Sequence, residues 1–467
     1  MKILGIISLT IIIFCTSSQA RTITGKVVSG KEQLSGVIIT DGTNFTRTKK
    51  NGSFRMNIVD TAKFVYIITP SGYVADWSDG SPKFFIKAEG RNRFEFDLLK
   101  TGGNGKDYNL IAVGDPQPKR QKHFDQFVGT PLSDITETGK TLDGPVFGIV
   151  LGDICFDVFP LMESWKKEIT RAAFPFYAVP GNHDHDRKFN NDVQSIEYYH
   201  ELFGPGNYAF HVGKDLVIML DNIIYHSRSG YQEGYTDNII TWVKNLLKYI
   251  PADANIYVAQ HGSLNGRHYS GSSVNDKAML DALKGRKVIF MSGHNHTNGN
   301  FEYTPDAIEH NIAAICGTWW DVYHCTDGTP RGYKVYTKKD GEISWYYKSI
   351  GKDKSFQHEL FRPGECRNNP DCVVVNVWDY DSRWKIEWEE DGKKMGEMQR
   401  VTEFSPLHSS EMTEAYTKTG KKIPGYRQTR KSNHFFAAKP TAGASAITVI
   451  ITDRFGNTWK EKCILNQ

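Results

Sequence analysis

The sequence of 467 residues predicts a central α/β domain flanked by two mainly β domains. Short segments of strand composition, separated by turn residues, fill 21–100. Strands alternate with helical stretches from about 108 to 291, and the helical pattern fades after about 350. A chain of this length exceeds one ordinary core. We therefore expect domains at 21–100, 107–345 and 350–467, after a leader at 1–20.

The first twenty residues have the composition of a secretory signal peptide. Lys2 precedes an apolar run over 3–14, and small residues lead to a cleavage position after Ala20. We therefore expect an exported protein, periplasmic or secreted. Lipid attachment at Cys15 is the alternative, and the bulky Phe14 disfavours it. No later segment is long and apolar enough to span a membrane.

The N-terminal region predicts a small β-sandwich. Its expected strands lie at 23–28, 37–40, 54–58, 64–69 and 94–98, between turn pairs such as Asn51-Gly52. A glycine-rich linker at 101–105 ends it.

The central region predicts a buried sheet covered by helices. The expected strands lie at 108–113, 146–151, 176–179, 216–220, 256–259 and 288–291, and helices are expected after Lys119 and at 160–172, 238–250 and 275–283.

The C-terminal region predicts strands at 373–378, 384–388 and 446–452, with Trp378, Trp384 and Trp388 in its core.

Six cysteines follow the leader, and export permits disulfides. Cys366 and Cys372 close a short loop and are the first candidate pair; Cys316 and Cys325 are the second. The cysteines show no CxxC spacing, so the sequence does not indicate a zinc knuckle.

Charge gives little guidance to a partner. The chain has 57 basic and 53 acidic side chains, for a net +4. No basic stretch interleaved with aromatic residues indicates a nucleic-acid surface. A nuclease is therefore disfavoured, and the oligomeric state stays open.

Polar side chains follow five of the predicted central strands. The carboxyl ends of strands are where open α/β sheets bind ligands, so these side chains are expected to converge. They are Asp115 and Gln117, Asp153, Asn182 with His183 and Asp184, His261, and His294 with His296. Carboxylates, amide oxygens and imidazoles suit divalent or trivalent Zn, Mn or Fe, whereas calcium prefers an all-oxygen site.

These five sequence blocks resemble the calcineurin-like metallophosphoesterase superfamily, and the segments Gly317-Thr-Trp-Trp320 and Asp327-Gly-Thr-Pro-Arg-Gly-Tyr333 resemble one seen in its exported bacterial members with an extra C-terminal domain. The five blocks read Asp115-Pro-Gln117, Gly152-Asp153, Gly181-Asn-His-Asp184, His261 and Gly293-His-Asn-His296. The resemblance implies a two-sheet α/β/β/α sandwich and a dinuclear metal centre. Gln117 stands where many members have His, which leaves the first metal's identity open.

The resemblance also implies roles for the individual residues. The first metal would take Asp115, Gln117 and His296; the second would take Asn182, His261 and His294; Asp153 would bridge them. His183 would face the substrate as a general acid, oriented by Asp184. Two metal ions suit phosphate-ester hydrolysis because they neutralise phosphoryl charge and activate water.

We therefore expect a metal-dependent phosphomonoesterase or phosphodiesterase of the cell envelope that acts on a phosphorylated small molecule, sugar or lipid. One alternative is a protein that binds phosphorylated ligands without turnover, although the His183-Asp184 pair argues against it. The other is an envelope scaffold in which the β-domains carry the function.

Several neighbouring residues have two interpretations. Arg187 and Arg267 either bind a substrate anion or are solvated surface. Trp319 and Trp320 either line the cleft or join two domains. His185 and Asp186 are expected to be solvated loop residues. The connections at 119–145 and 221–237 are long enough to form walls or lids.

Overall fold

The computed structural model describes residues 21–227 and 230–465. The predicted signal peptide at 1–20 and the alternative lipidation site at Cys15 lie outside the described residues. Of the helices in the described part, none has the length and apolar character needed to cross a membrane.

The N-terminal region forms two packed sheets of short strands. Its strands are β1 (Arg21–Ser29), β2 (Glu32–Gln33), β3 (Ile38–Thr40), β4 (Phe45–Arg47), β5 (Ser53–Ile58), β6 (Phe64–Ile68), β7 (Tyr73–Ala75), β8 (Phe85–Lys87) and β9 (Arg93–Lys100). One sheet has the order β2-β1-β9-β7, with β5 also on β1, and the other has the order β4-β3-β6-β8. Alternate residues of β9 are buried, including Phe94 and Phe96, because a strand directs successive side chains to opposite faces.

The central region has thirteen strands and seven helices. The strands are β10 (Tyr108–Val113), β11 (Val146–Leu151), β12 (Phe176–Val179), β13 (Tyr208–Val212), β14 (Asp215–Met219), β15 (Ile223–Ser227), β16 (Gly230–Glu233), β17 (Ile256–Ala259), β18 (Val288–Ser292), β19 (Gly299–Thr304), β20 (Ala307–Asn311), β21 (Gly332–Lys339) and β22 (Glu342–Ser349). The helices are α1 (Gln121–Gly129), α2 (Pro131–Thr141), α3 (Pro160–Glu168), α4 (Asp192–Ser195), α5 (Glu197–Phe203), α6 (Asp237–Leu247) and α7 (Asp276–Ala282).

These strands form two sheets that pack face to face. The first has the order β12-β11-β10-β21-β22 and the second the order β13-β14-β17-β18-β20-β19. Tyr177 of the first sheet stacks on Phe210 of the second, with ring centroids 3.8 Å apart. The hydroxyls of Tyr108 and Tyr257 also join the sheets, at 3.1 Å. The predicted sandwich of two sheets, covered by helices and flanked by two further domains, is confirmed.

The C-terminal region forms two four-stranded sheets and one helix. Its elements are β23 (Glu359–Phe361), β24 (Val373–Asn376), β25 (Lys385–Glu390), β26 (Lys393–Glu397), β27 (Gln399–Phe404), α8 (Pro406–Thr417), β28 (Lys431–Ala438), β29 (Ala446–Thr452) and β30 (Thr458–Ile464). The sheet orders are β23-β24-β28-β27 and β26-β25-β29-β30. Trp384 is buried in the core of this domain and Trp388 packs against that core, as the sequence predicted, whereas the buried Trp378 belongs to the core cluster of the N-terminal and central regions.

The predicted disulfides are absent from the structure, in which all six described cysteines are free thiols. Cys366 is buried among apolar side chains such as Phe361 and Phe435, and it packs there as an apolar residue. The thiols of Cys316 and Cys325 each point to a different backbone carbonyl, those of Gly317 and Ala314. The pairing expected from loop spacing alone is therefore wrong for this structure.

Candidate metal centre and active site

The five predicted strand-end blocks meet at one edge of the two sheets. Strands β10, β11 and β12 run parallel in the first sheet, and β17 and β18 run parallel in the second. Their carboxyl ends point the same way, and a bridge between Gly114 and Ala314 joins the loops. The structure thus brings together all seven predicted metal ligands and His183.

The backbone of this edge is strained. Five of the predicted residues have left-handed backbone conformations, with φ between 41° and 65°: Asp115, Gln117, Asp153, His294 and His296. Non-glycine residues rarely adopt this region, and such strain clusters at functional sites. Gly152 takes φ +81°, and a Cβ there would lie 2.6 Å from Nδ1 of His261, so glycine is required.

The side chains form two overlapping groups with metal-ligand geometry. Asp153, His261 and His294 have ligand atoms within 4.8 Å of one another, and so do Asp115, Asp153 and His296. Asp153 belongs to both groups. A carboxylate has two oxygens, so one shared carboxylate can serve two cations.

The remaining predicted ligands complete these groups. Oδ1 of Asn182 lies 3.2 Å from Nε2 of His261, and the amide of Gln117 donates to Asp153. Oδ1 of Asp115 and Oε1 of Gln117 are buried, with no hydrogen-bond partner in the described part of the chain. Buried oxygens without partners are costly unless something absent satisfies them, and a cation does so. The residues therefore fit a metal centre.

The outer contacts of two imidazoles leave one ring nitrogen of each facing the centre. Nδ1 of His261 donates to the carbonyl of Leu151 at 2.7 Å, which leaves Nε2 toward Asp153. Nε2 of His294 lies 3.0 Å from a carboxylate oxygen of Glu233, which leaves Nδ1 toward the centre. Hydrogen bonds to outer carboxylates and carbonyls fix ligand tautomers in this way. Glu233 was not predicted.

The charges of the centre are strongly coupled. Burial would raise the pKa of Asp153, but the charges of His261 and His183 hold it far below its ordinary value. Burial would lower the pKa of His261, but the charge of Asp153 raises it to about 9. The pKa of His296 is raised to about 10 against the effect of burial, chiefly by Asp115. The carboxylate of Asp153 therefore stays ionised and available to cations.

His183 is oriented by Asp157, not by Asp184. Nδ1 of His183 lies 2.9 Å from Oδ1 of Asp157, and the imidazole stacks on Phe156 with centroids 3.9 Å apart. Asp184 is fully buried and accepts the backbone N–H groups of Gly181, Ile154 and Cys155. The predicted orienting role of Asp184 is therefore wrong: its carboxylate holds two loops together beneath the site.

The comparisons with known proteins agree with this geometry. Residues 108–298 match the family model described as calcineurin-like phosphoesterase, residues 21–101 match the N-terminal model of that family, and residues 309–459 match the C-terminal model. The chain belongs to the calcineurin-like phosphoesterase family. It is accordingly a metal-dependent hydrolase of phosphate esters, and the predicted resemblance is confirmed. No curated protein matches the sequence.

Two solved structures are similar to part of this chain. A dimetal phosphatase from Danio rerio is 10% identical with a TM-score of 0.39, over 52% of this chain and 97% of that chain. A 5'-nucleotidase from Candida albicans is 10% identical with a TM-score of 0.34, over 53% of each chain.

The phosphoesterase centre forms the floor of a cavity of ≈ 230 Å³. Trp319 lines it, with its ring 4.6 Å from that of His296. Trp320 is buried and its indole N–H donates to the carbonyl of Pro116 at 2.9 Å. Trp319 therefore lines the cleft and also contacts Tyr426 of the C-terminal domain, with ring centroids 5.2 Å apart, whereas Trp320 packs within the central domain.

The other walls come from the two connections predicted to form walls or lids, 119–145 and 221–237, and from a C-terminal segment that was not predicted to reach the site. Residues of the hairpin β15–β16, the start of α1 and the segment before β28 line the cavity: Tyr231, Lys119, His123, Tyr426, Arg427 and Arg430. Arg267 also lines the cavity, whereas Arg187 pairs with Asp157 at 3.3 Å. His185 is buried beside Gly181, so its predicted solvation is wrong. No sequence pattern predicts that the C-terminal residues reach the cavity, because they follow no strand of the central sheets.

Proposed function

We propose that the chain hydrolyses phosphate esters at a dinuclear centre in which Asp153 is shared. The observation that supports this most is the pair of overlapping ligand groups with Asp153 in common. One cation would take Asp115, Gln117 and His296, and the other would take Asn182, His261 and His294. The ligand set suits Mn, Zn or Fe.

The chain's own residues would position the ester and supply the proton. Divalent ions held here supply positive charge that polarises a phosphoryl oxygen and lowers the pKa of water. Asp157 accepts the Nδ1 proton of His183, which leaves Nε2 available to the leaving oxygen. Stacking on Phe156 restricts the ring, so the donor is held in one orientation.

The cavity volume and the leader composition support a small substrate met outside the cytoplasm. A volume of ≈ 230 Å³ suits a phosphorylated small molecule, sugar or the head of a lipid. The composition of residues 1–20 supports export. Mass spectrometry of the protein recovered from the cell envelope or medium tests this, and we expect a mature N-terminus at Arg21. A chain that keeps 1–20 and stays with the cytoplasm contradicts export.

Metal analysis and turnover test the centre. We expect about two ions per chain in the wild type. Asp153→Asn should lower the metal content and reduce kcat on 4-nitrophenyl phosphate and bis(4-nitrophenyl) phosphate by about a hundredfold or more. The control is Asp253→Asn, which removes a carboxylate ion-paired with Lys214 on the surface. Full activity of Asp153→Asn, or a wild type that cleaves no ester when loaded with Mn or Zn, contradicts the proposal.

A further inference from the structure

Two arginines of the cavity wall come from different domains. Arg267 begins the 3₁₀ turn Arg267–Tyr269 in the loop after β17, and Arg430 directly precedes β28. Both line the cavity that contains His183 and His294. Within 21–227 and 230–465, neither guanidinium forms an ion pair with a carboxylate.

The structure holds Arg430 in place without neutralising it. Its Nη1 lies 2.6 Å from Nδ1 of His268, and its backbone N–H donates to the carbonyl of Thr326 at 2.8 Å. Burial lowers the pKa of Arg430, and the positive charge of Arg267 lowers it further. Asp327, whose negative charge acts on Arg430, already accepts hydrogen bonds from Thr329 and Asn298.

The loop that presents Arg267 is fixed to the metal centre. The backbone N–H of His268 donates to Oδ1 of Asn295 at 2.6 Å, and Asn295 lies between the ligands His294 and His296. His268 and Tyr269 both have left-handed backbone conformations, with φ of 57° and 56°. Strain of this kind persists only where the surrounding contacts impose it. The position of Arg267 relative to the centre is therefore built into the fold.

The other two arginines near the centre are already neutralised. Arg187 pairs with Asp157 at 3.3 Å, and Arg427 pairs with Asp321. Arg267 and Arg430 are thus the arginines of the cavity wall whose charge is left for a ligand. Two like charges facing one cavity repel each other, and an anion bound between them relieves that repulsion.

We propose that Arg267 and Arg430 bind a second anionic group of the substrate, so that preferred substrates carry one oxyanion beyond the scissile phosphate ester. This inference rests on the proposed function. The guanidinium group recognises phosphate and carboxylate oxygens through paired N–H donors, so either oxyanion fits. Trp319 and Tyr426 give the same cavity an aromatic face that suits an apolar or sugar portion of such a compound.

Binding of inert phosphonates tests the inference. Calorimetry on the metal-loaded full chain compares alkylphosphonates with α,ω-alkylbisphosphonates and ω-carboxyalkylphosphonates over matched chain lengths. We expect the better two-anion compound to bind at least about tenfold more tightly than the alkylphosphonate. Which second group is preferred, phosphonate or carboxylate, identifies the oxyanion.

Matched variants separate the arginines from other effects. Arg267→Gln and Arg430→Gln should each remove most of the two-anion advantage while changing alkylphosphonate binding by less than about threefold. Arg55→Gln, an exposed site on β5, should leave the advantage intact. If Arg430→Gln fails to fold, the exposed Arg267→Gln carries the test.

Some outcomes overturn the inference. Equal affinities for one-anion and two-anion compounds would contradict it. A two-anion advantage that survives both arginine variants would also contradict it, because the second anion would then be binding the metals and not the arginines. Failure of the proposed function looks different: no ester is hydrolysed, whatever the phosphonate affinities.

Discussion

The proton-donating role proposed for His183 can be tested by the leaving group. 4-Nitrophenolate leaves without a proton, whereas an alkoxide needs one. We expect His183→Gln to reduce kcat on an alkyl phosphate by about a hundredfold or more, and on 4-nitrophenyl phosphate by much less. Steady-state kinetics on both esters measure the difference. Asp157→Asn should give a smaller loss with the same leaving-group pattern, because it perturbs only the orientation of the ring. Equal losses on the two esters contradict the general-acid role.

The carboxylate of Asp184 is expected to matter for stability. Asp184→Ala leaves three buried N–H donors, those of Gly181, Ile154 and Cys155, without their acceptor. We expect the free energy of unfolding to fall by about 3–5 kcal/mol, measured by urea denaturation of the metal-free protein. The control is Asp186→Ala, which removes an acceptor for one exposed N–H, that of Lys188. Equal losses for the two variants contradict this account.

Individual residues also show which parts of the site could be predicted from the sequence and which could not. The ligands were predictable because parallel strands bring their carboxyl ends to one edge. The partner of His183 was not, because the loop directs the adjacent Asp184 inward while Asp157 reaches the ring from another loop, 26 residues away. Adjacency in sequence was a poor guide to contact within this strained turn.

At the scale of elements, the hairpin β15–β16 acts as a support for the metal centre. Glu233 bonds Nε2 of His294 and fixes its tautomer. We expect Glu233→Gln to weaken metal binding by about 10–100-fold, measured by competition with a chelator. Glu342→Gln, on the exposed edge of β22, is the control. Unchanged metal affinity in Glu233→Gln contradicts a supporting role for the hairpin.

Helix α8 shows why one element escaped prediction. Ser405 caps it by accepting the N–H of His408, and Pro406 occupies its first turn. Its buried face consists of His408 and Met412, so no aliphatic stripe marks it as amphipathic. Strand β25 of the same domain was predictable because Ile386 and Trp388 face the core and alternate with the exposed Lys385 and Glu387.

At the scale of the whole molecule, buried polar pairs join the central and C-terminal domains. Lys334 of β21 pairs with Asp379 at 2.7 Å, and His434 lies 3.3 Å from Asp327. Polar pairing across domains leaves no periodic signal, so sequence predicted the separate domains but not their interface. The consequence is functional, because this interface brings Arg430 to the cavity wall.

The same interface is expected to make stability depend on pH through His324. Burial would lower its pKa, but the carboxylates of Glu359 and Glu411, 3.6 and 2.8 Å from its ring nitrogens, raise it to about 9, from an ordinary 6.5. A group whose pKa is higher in the folded than in the unfolded protein stabilises the fold most at pH values below its unfolded-state pKa. That stabilisation is lost as the pH rises through the folded-state pKa. We therefore expect His324→Gln to lower the free energy of unfolding by up to about 3 kcal/mol near pH 6 and to cost little above pH 9. Urea denaturation of the metal-free protein across this pH range measures the free energy of unfolding, with the variant His226→Gln at an exposed position as control. The predicted metal ligands titrate in the wild type and in the variant alike, so their contribution cancels in the difference between the two. A cost for His324→Gln that stays constant with pH would mean that His324 contributes packing alone.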